Sequence, residues 1–282
     1  MKLAELIART SQRLAAAKLH YGHGTDNPHD EAAFLVLRGL GLAFDSNLNR
    51  EASPRRVEGL IRKRIAQRIP AAYLLNEAWL DGLPFYVDRR VIVPRSHIAF
   101  LFKDLPTKPR RILDLCTGSG CLAVLAARAF PRARVDASDI SAAALDVAAR
   151  NVRKHKLAGR VCLIKSDLFA KLTARYDLIV SNPPYVATPS MRKLPPEYRY
   201  EPGLALAGGR DGLEFVSRII AGAHEHLSPG GLLVCEVGDG KAAVERAYPR
   251  AGLVWPTPEV FRLEASRTAG ASRTRPRRPR AR

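Results

Sequence analysis

The sequence predicts an α/β protein in which a mainly parallel sheet follows a small helical region at the amino end. Three observations carry that expectation. From Arg111 onward, short apolar runs alternate with stretches of helical periodicity, the pattern of strands joined by helical crossovers. The first run, Ile112-Leu-Asp-Leu-Cys116, opens into the glycine turn Thr117-Gly118-Ser119-Gly120. The fourth, Leu178-Ile-Val180, stops within two residues at the proline pair Pro183-Pro184.

In chain order, residues 1–75 read as helices. Leu3, Leu6, Ile7 and Leu14 make one apolar stripe, and a second helix runs from about Asp30 through Phe34, Leu35 and Leu37 to Gly39. A third is expected from Ser53-Pro54, a cap followed by proline at the first helical position. Val57, Leu60, Ile61, Ile65 and Ile69 form its buried face, with Arg55, Arg56, Arg62, Lys63 and Arg68 on a solvated basic face. Residues 76–110 hold a hairpin turning at Asp81-Gly82 and a linker over 103–110, with Arg95 at the junction, placed to line a site mouth or to form a salt bridge.

Residues 111–264 carry the sheet. A helix over 121–130 follows the glycine turn, and Val135–Asp139 is the second strand, with Ser141 capping the next helix. Val161–Asp167 is the third strand, and the fourth ends in Asn182-Pro183-Pro184-Tyr185. Residues 186–212 form a long proline-punctuated loop containing Glu201, expected to act as a substrate lid. A helix over 213–227, a strand over 231–237, a helix over 240–247 and a short strand Val260–Leu263 complete the alternation. Residues 265–282 carry seven arginines and no acid, and are expected to be a disordered basic tail.

Composition narrows the function classes. The longest apolar run, Cys121–Ala127, is too short to span a bilayer, and the first residues lack a secretory apolar core. Four cysteines at 116, 121, 162 and 235 show neither paired nor zinc-like spacing, which points to reduced thiols in the cytoplasm and to no metal site. A formal charge of +19 predicts attraction to polyanions, with RNA contact through the third helix and the tail.

The chemistry is concentrated at two turns. Cys116 to Gly120 permits close approach of a ligand over a helix start, and Asp139 lies nineteen residues beyond Gly120, where an acid meets ribose hydroxyls. Asp167, with Leu168 beside it, sits where an exocyclic adenine amine would lie. The turn also satisfies a dinucleotide fingerprint, but Asp114 before it suits a ligand's ammonium group, and the Asn-Pro-Pro-Tyr ending is foreign to NAD enzymes; both favour S-adenosylmethionine. The Asn182 side-chain oxygen and the Pro183 carbonyl are acceptors able to hold one NH2 group, and both bonds strengthen as that nitrogen becomes positive during alkylation. Pro184 closes the turn and Tyr185 can lie flat over a planar amide or base. The expected reaction is methyl transfer to a planar nitrogen.

Six stretches extend the pattern: Tyr21-Gly-His-Gly-Thr-Asp-Asn-Pro28, Arg68-Ile-Pro-Ala-Ala-Tyr-Leu74, Phe85-Tyr-Val-Asp-Arg-Arg-Val91, Val93-Pro-Arg-Ser96, Asp114–Cys121 and Asn182-Pro-Pro-Tyr-Val186. With them the chain resembles the HemK-like protein-glutamine methyltransferase family, in its branch acting on large-subunit ribosomal protein three. The resemblance implies a helical substrate-recruiting domain, a seven-stranded Rossmann-like methyltransferase domain and methylation of a glutamine amide. It implies cofactor contacts from Cys116–Gly120, Asp139, Leu168 and Asn182, and glutamine contacts from Asn182–Tyr185; Arg95 at the junction and Glu201 in the long loop are expected at the substrate side from their positions. A monomer acting on the free ribosomal protein or an early assembly particle is expected. The chain departs from the family at Phe100, where an acid is usual, at His97, where proline is common, and in a shortened hairpin between Trp255 and Val260. Two other readings share part of the pattern: methylation of an exocyclic amine in nucleic acid, and a non-catalytic ribosome-assembly binder.

Overall fold

A computed structural model describes residues 1–265. The basic tail expected over 265–282 therefore lies, apart from Ala265, outside the described residues. Four helices come first: α1 (Leu3–Ala16), α2 (Pro28–Gly39), α3 (Arg55–Gln67) and α4 (Ala71–Leu75). They share a core that includes Leu3, Leu14, Leu35, Val57 and Ile61. α2 starts two residues earlier than its apolar pattern suggests, because the Asn27 side chain accepts from Asp30 N at 2.9 Å and Pro28 takes the first helical position. The expected Ser53 cap does not form; only its backbone carbonyl receives Arg56 N, at 3.3 Å.

The hairpin β1 (Ala78–Leu80) and β2 (Leu83–Phe85) turns at Asp81-Gly82, both with positive φ (46° and 73°), the twist a two-residue turn requires. A short helix α5 (Ile98–Leu101) then precedes the sheet region: β3 (Arg111–Leu115), α6 (Cys121–Ala129), β4 (Arg134–Asp139), α7 (Ala142–Lys154), β5 (Val161–Lys165), β6 (Tyr176–Ser181), α8 (Thr188–Met191), α9 (Glu214–His226), β7 (Leu227–Glu236), α10 (Lys241–Ala247), β8 (Val254–Thr257) and β9 (Val260–Glu264). Seven strands form one sheet in the order β5-β4-β3-β6-β7-β9-β8, parallel from β5 to β7 and closed by the antiparallel β9 and β8. The shortened carboxyl-terminal hairpin thus still supplies two strands. β5 stops at Lys165, short of the expected Asp167. β7 begins at Leu227 instead of 231, because Leu227 pairs with Tyr176 across a bulge and carries the ladder back through the Pro-Gly-Gly stretch.

Both sheet faces are covered, so the central strands read as continuous apolar runs. Ile112, Leu178, Val180, Leu232 and Val234 pack under α6, while Leu113, Leu115, Ile179, Leu233 and Cys235 pack against α9. The strand order reverses between β3 and β6, and a ligand crevice opens at such a point beyond the strands' carboxyl ends. Among the described residues no helix is long and apolar enough to cross a membrane.

The segment 186–212 is not a structureless lid. It contains α8 and two short 3-10 turns, Pro196–Tyr200 and Gly203–Ala205, and two of its acids, Glu197 and Glu201, are buried against the chain before the sheet. Glu197 accepts from His20 N at 3.0 Å and pairs with Arg68 at 2.8 Å and Arg64 at 3.4 Å. Arg64, only 1% exposed, also binds Glu31 at 2.6 Å and the His20 carbonyl at 2.8 Å. The solvated basic face expected on α3 therefore loses Arg68, while its neighbour Arg64 is among the largest fully buried side chains. Tyr200 and Arg199 add hydrogen bonds to the Gln67 carbonyl.

Candidate active site

The register of β3 against β6 brings the two turns together. Leu115 pairs with Ser181, whose hydroxyl donates to the Leu115 carbonyl at 3.0 Å, so Cys116 and Asn182 leave the sheet side by side. Cys116 adopts φ 59°, and Gly118 and Gly120 follow at 55° and 79°. A Cβ on Gly120 would stand 3.0 Å from that of Ala148, so the residue must be glycine for α6 to approach α7. Asp139, at the end of β4, accepts from Gly118 N and Ser141 N, each at 2.9 Å. It holds the turn open from below, and burial raises its carboxyl.

Asp114 is fully buried. One carboxylate oxygen accepts from Thr117 Oγ1 at 2.6 Å; the other, Oδ1, makes no hydrogen bond of good geometry, although the Ala123 backbone N–H at the start of α6 is near enough to favour the carboxylate. Burial pushes its carboxyl up to about 7. An unpaired acidic oxygen beside a glycine turn at a helix start is the acceptor that an amino-acid ammonium group would satisfy, so the donor and acceptor set here fits S-adenosylmethionine.

Asn182 is half-buried at the end of β6, with Pro183 and Pro184 buried behind it. Tyr185 is held by glycines. A Cβ on Gly208 would lie 2.6 Å from its Cα, and one on Gly238 (φ 51°) would lie 2.6 Å from its ring. Only bare backbone fits against both sides of the tyrosine. Burial, then the nearby Glu236, raises its phenol well above the usual range, so the ring presents a neutral hydroxyl.

Arg95 and Glu201 come together, but onto each other: two bonds at 2.6 and 2.7 Å make a bidentate pair, and Glu201 also accepts from Val93 N at 2.9 Å. His23 lies 3.8 Å from the same carboxylate, is lowered by burial to about 4, and stays neutral. Asp167 is exposed and pairs with Arg218 at 2.8 Å, while Leu168 turns at φ 44° with its carbonyl bonded to Ser166 Oγ. Phe100 is 58% exposed, and His97 serves through its backbone N–H, which donates to Glu236.

Two residues escaped the sequence reading. Glu236, at the carboxyl end of β7, accepts from Ser96 Oγ at 2.6 Å and His97 N at 3.0 Å, tying the Pro-Arg-Ser segment to the sheet. Asn151 is fully buried on α7, donates to the Ser119 and Tyr86 carbonyls and accepts from Tyr86 N. It locks the glycine turn to the backbone of Tyr86, just past the hairpin. An asparagine in the apolar stripe Ala144, Val147, Ala148, Val152 was the available signal.

A family profile described as the methyltransferase small domain matches residues 97–193. The hMettl16 catalytic domain, solved in complex with an RNA hairpin, superposes with a TM-score of 0.52 at 17% identity, covering 80% of this chain and 88% of that one, a likeness of fold alone. Fold and paired turns define a methyltransferase. Curated relatives narrow the class: the ribosomal protein uL3 glutamine methyltransferase of Bradyrhizobium diazoefficiens is 50% identical over 90% of this chain and 86% of its own. The protein of the same description from Bordetella pertussis is 51% identical over 90% of each. The chain belongs to the family of ribosomal protein uL3 glutamine methyltransferases.

Proposed function

We propose that the protein transfers a methyl group from S-adenosylmethionine to the side-chain amide nitrogen of a glutamine in ribosomal protein uL3. The observation that carries this reading is the placement of Asn182–Tyr185 directly beside the Cys116–Gly120 turn, at the point where the strand order reverses. Asp114 Oδ1, the turn, Asp139 and Leu168 would hold the cofactor; Asp167 would reach its adenine only alongside the Arg218 contact it already makes.

Bound cofactor supplies an electrophilic methyl group. The chain's own residues deal with the poor nucleophile. Asn182 Oδ1 and the Pro183 carbonyl accept from the two amide hydrogens, which aims the nitrogen and stabilises the positive charge it gains as its bond to carbon forms and the sulfur–methyl bond breaks. Tyr185, fixed by Gly208 and Gly238, stacks on the amide plane. The alkylated nitrogen then releases its proton to water, so no strong base is required.

Residues 1–75 would recruit the substrate. A glutamine must extend into the pocket between Asn182 and Pro183, so free uL3 or an early assembly particle suits the enzyme better than the finished subunit. Intact-mass analysis and peptide sequencing of uL3, presented free, in an assembly intermediate and in mature subunits, test the reading. One added methyl on a glutamine of the early substrates is expected. Modification of nucleic acid instead, or of no glutamine, rejects it, and equal rates on mature subunits reject the timing.

A further inference from the structure

Beyond the amino ends of β3 and β4, away from the active site at their carboxyl ends, lies a groove of about 820 Å³. It is bounded by the segment 102–110, the end of α6 with the turn after it, and the β1–β2 hairpin. β3 is five residues long, which sets the groove roughly 17 Å from the glycine turn. Its rim carries Lys103, Lys108, Arg110, Arg128 and Arg132, all exposed, against one lining acid, Asp81. Among the described residues, none of these five cations is in an ion pair, whereas on α3 Arg64 and Arg68 are neutralised by Glu31 and Glu197. Arg55, Arg56, Arg62 and Lys63 on α3 are exposed and likewise in no ion pair, so the groove is a second concentration of uncompensated charge, and the one set over an apolar floor.

The floor is apolar. Leu83, Leu105 and Phe130 line it, and Phe130 packs edge-to-face on Phe102 with ring centroids 6.1 Å apart. A cationic rim over an aromatic-bearing floor is the arrangement that tracks a phosphodiester backbone while its bases rest on apolar surface. We infer that this groove is a docking site for single-stranded RNA, through which the enzyme engages an assembling ribosomal particle while the opposite end of the strands works on the protein. The choice of RNA among polyanions rests on the proposed ribosomal substrate; the charge and shape of the groove do not depend on it.

The test uses the full-length chain and a short fluorescein-labelled oligouridylate, followed by anisotropy over a salt series. Lys108→Ala/Arg128→Ala/Arg132→Ala should weaken binding about tenfold at low salt and lower the log–log salt slope by about 2, the loss of three phosphate contacts to a single strand. Arg55→Ala/Arg56→Ala/Arg62→Ala on α3 should change affinity less than about threefold, a smaller electrostatic contribution. Ultraviolet cross-links should map to the peptide containing Phe130. Unchanged binding in the groove variant, an equal loss from the α3 variant, cross-links confined to other segments, or preference for acidic phospholipid vesicles over RNA would each overturn the inference. Methylation of free uL3 by the groove variant is assayed in parallel and should match the parent. If uL3 is not methylated at all, the substrate assignment falls while the RNA titration still reads the groove.

Discussion

Replacing Arg64 with methionine should be costly, because its guanidinium is the centre of a buried ion network in the helical region. The guanidinium binds Glu31 at 2.6 and 3.4 Å, Glu197 at 3.4 Å and the His20 carbonyl at 2.8 Å. Glu197 keeps Arg68 and His20 N without it, but Glu31 is left with Thr25 alone, at 3.3 Å. A buried carboxylate stripped of its cation costs about 3–5 kcal/mol; one principal orphan places the loss near the lower end, about 3 kcal/mol. Burial already raises Glu31 above the usual carboxylate range, and loss of Arg64, which lowers it, raises it further. A group that holds its proton more tightly in the folded state loses stability as pH rises through that window. The deficit should therefore be larger at about pH 8 than at about pH 5, and Arg64→Met/Glu31→Gln should recover part of it. Urea midpoints of parent, single and double variants at both pH values measure this. A loss below about 1 kcal/mol with no dependence on pH would refute the view that the ion network is closed and buried.

Asn182→Ala should lower kcat by about 100-fold or more with an unchanged unfolding midpoint, the scale of losing one group that stabilises developing charge; labelled methyl incorporation measures it. Because burial sets the Asp114 carboxyl at about 7, cofactor affinity should rise between about pH 6 and pH 8 as the carboxylate forms, then level off. Calorimetry across that range, with Asp114→Asn as a flat and weaker-binding reference, tests the assignment. Gly238→Ala forces a methyl against the Tyr185 ring at a φ of 51°; it should raise KM for uL3 severalfold and leave cofactor affinity in place, by steady-state kinetics and calorimetry.

The sheet region was readable because its signals are local. Leu178–Val180 followed by two prolines can be little else than a buried strand stopped at its carboxyl end, and Ser141 caps α7 as its position suggests. The turn Cys116–Gly120 and the Asn182 motif could be placed without knowing which strands are neighbours. What the sequence hides is partnership over distance. Arg64 sits in a run of cations and differs from Arg62 and Lys63 only because Glu31 and Glu197, 33 and 133 residues away, meet it. Arg95 and Glu201, both read as substrate contacts, are 106 residues apart and satisfy each other. Proline spacing suggested a long loop acting as a substrate lid over 186–212, since nothing local reveals that Glu197 and Glu201 have buried partners.

Those anchored acids bear on where the chain can be divided. Glu197 and Glu201 lie in the chain of the methyltransferase region, yet their bonds run to Arg64, Arg68, His20 N, Val93 N and Arg95. Cutting the sequence near residue 75 would therefore not release a separable recruiting unit. It would strip Glu197 on one piece from Arg64 and Arg68 on the other, while Glu201 would keep Arg95 and Val93 N on its own piece. A chimaera that grafts a different helical region onto this sheet must bring a matching 196–200 turn with it.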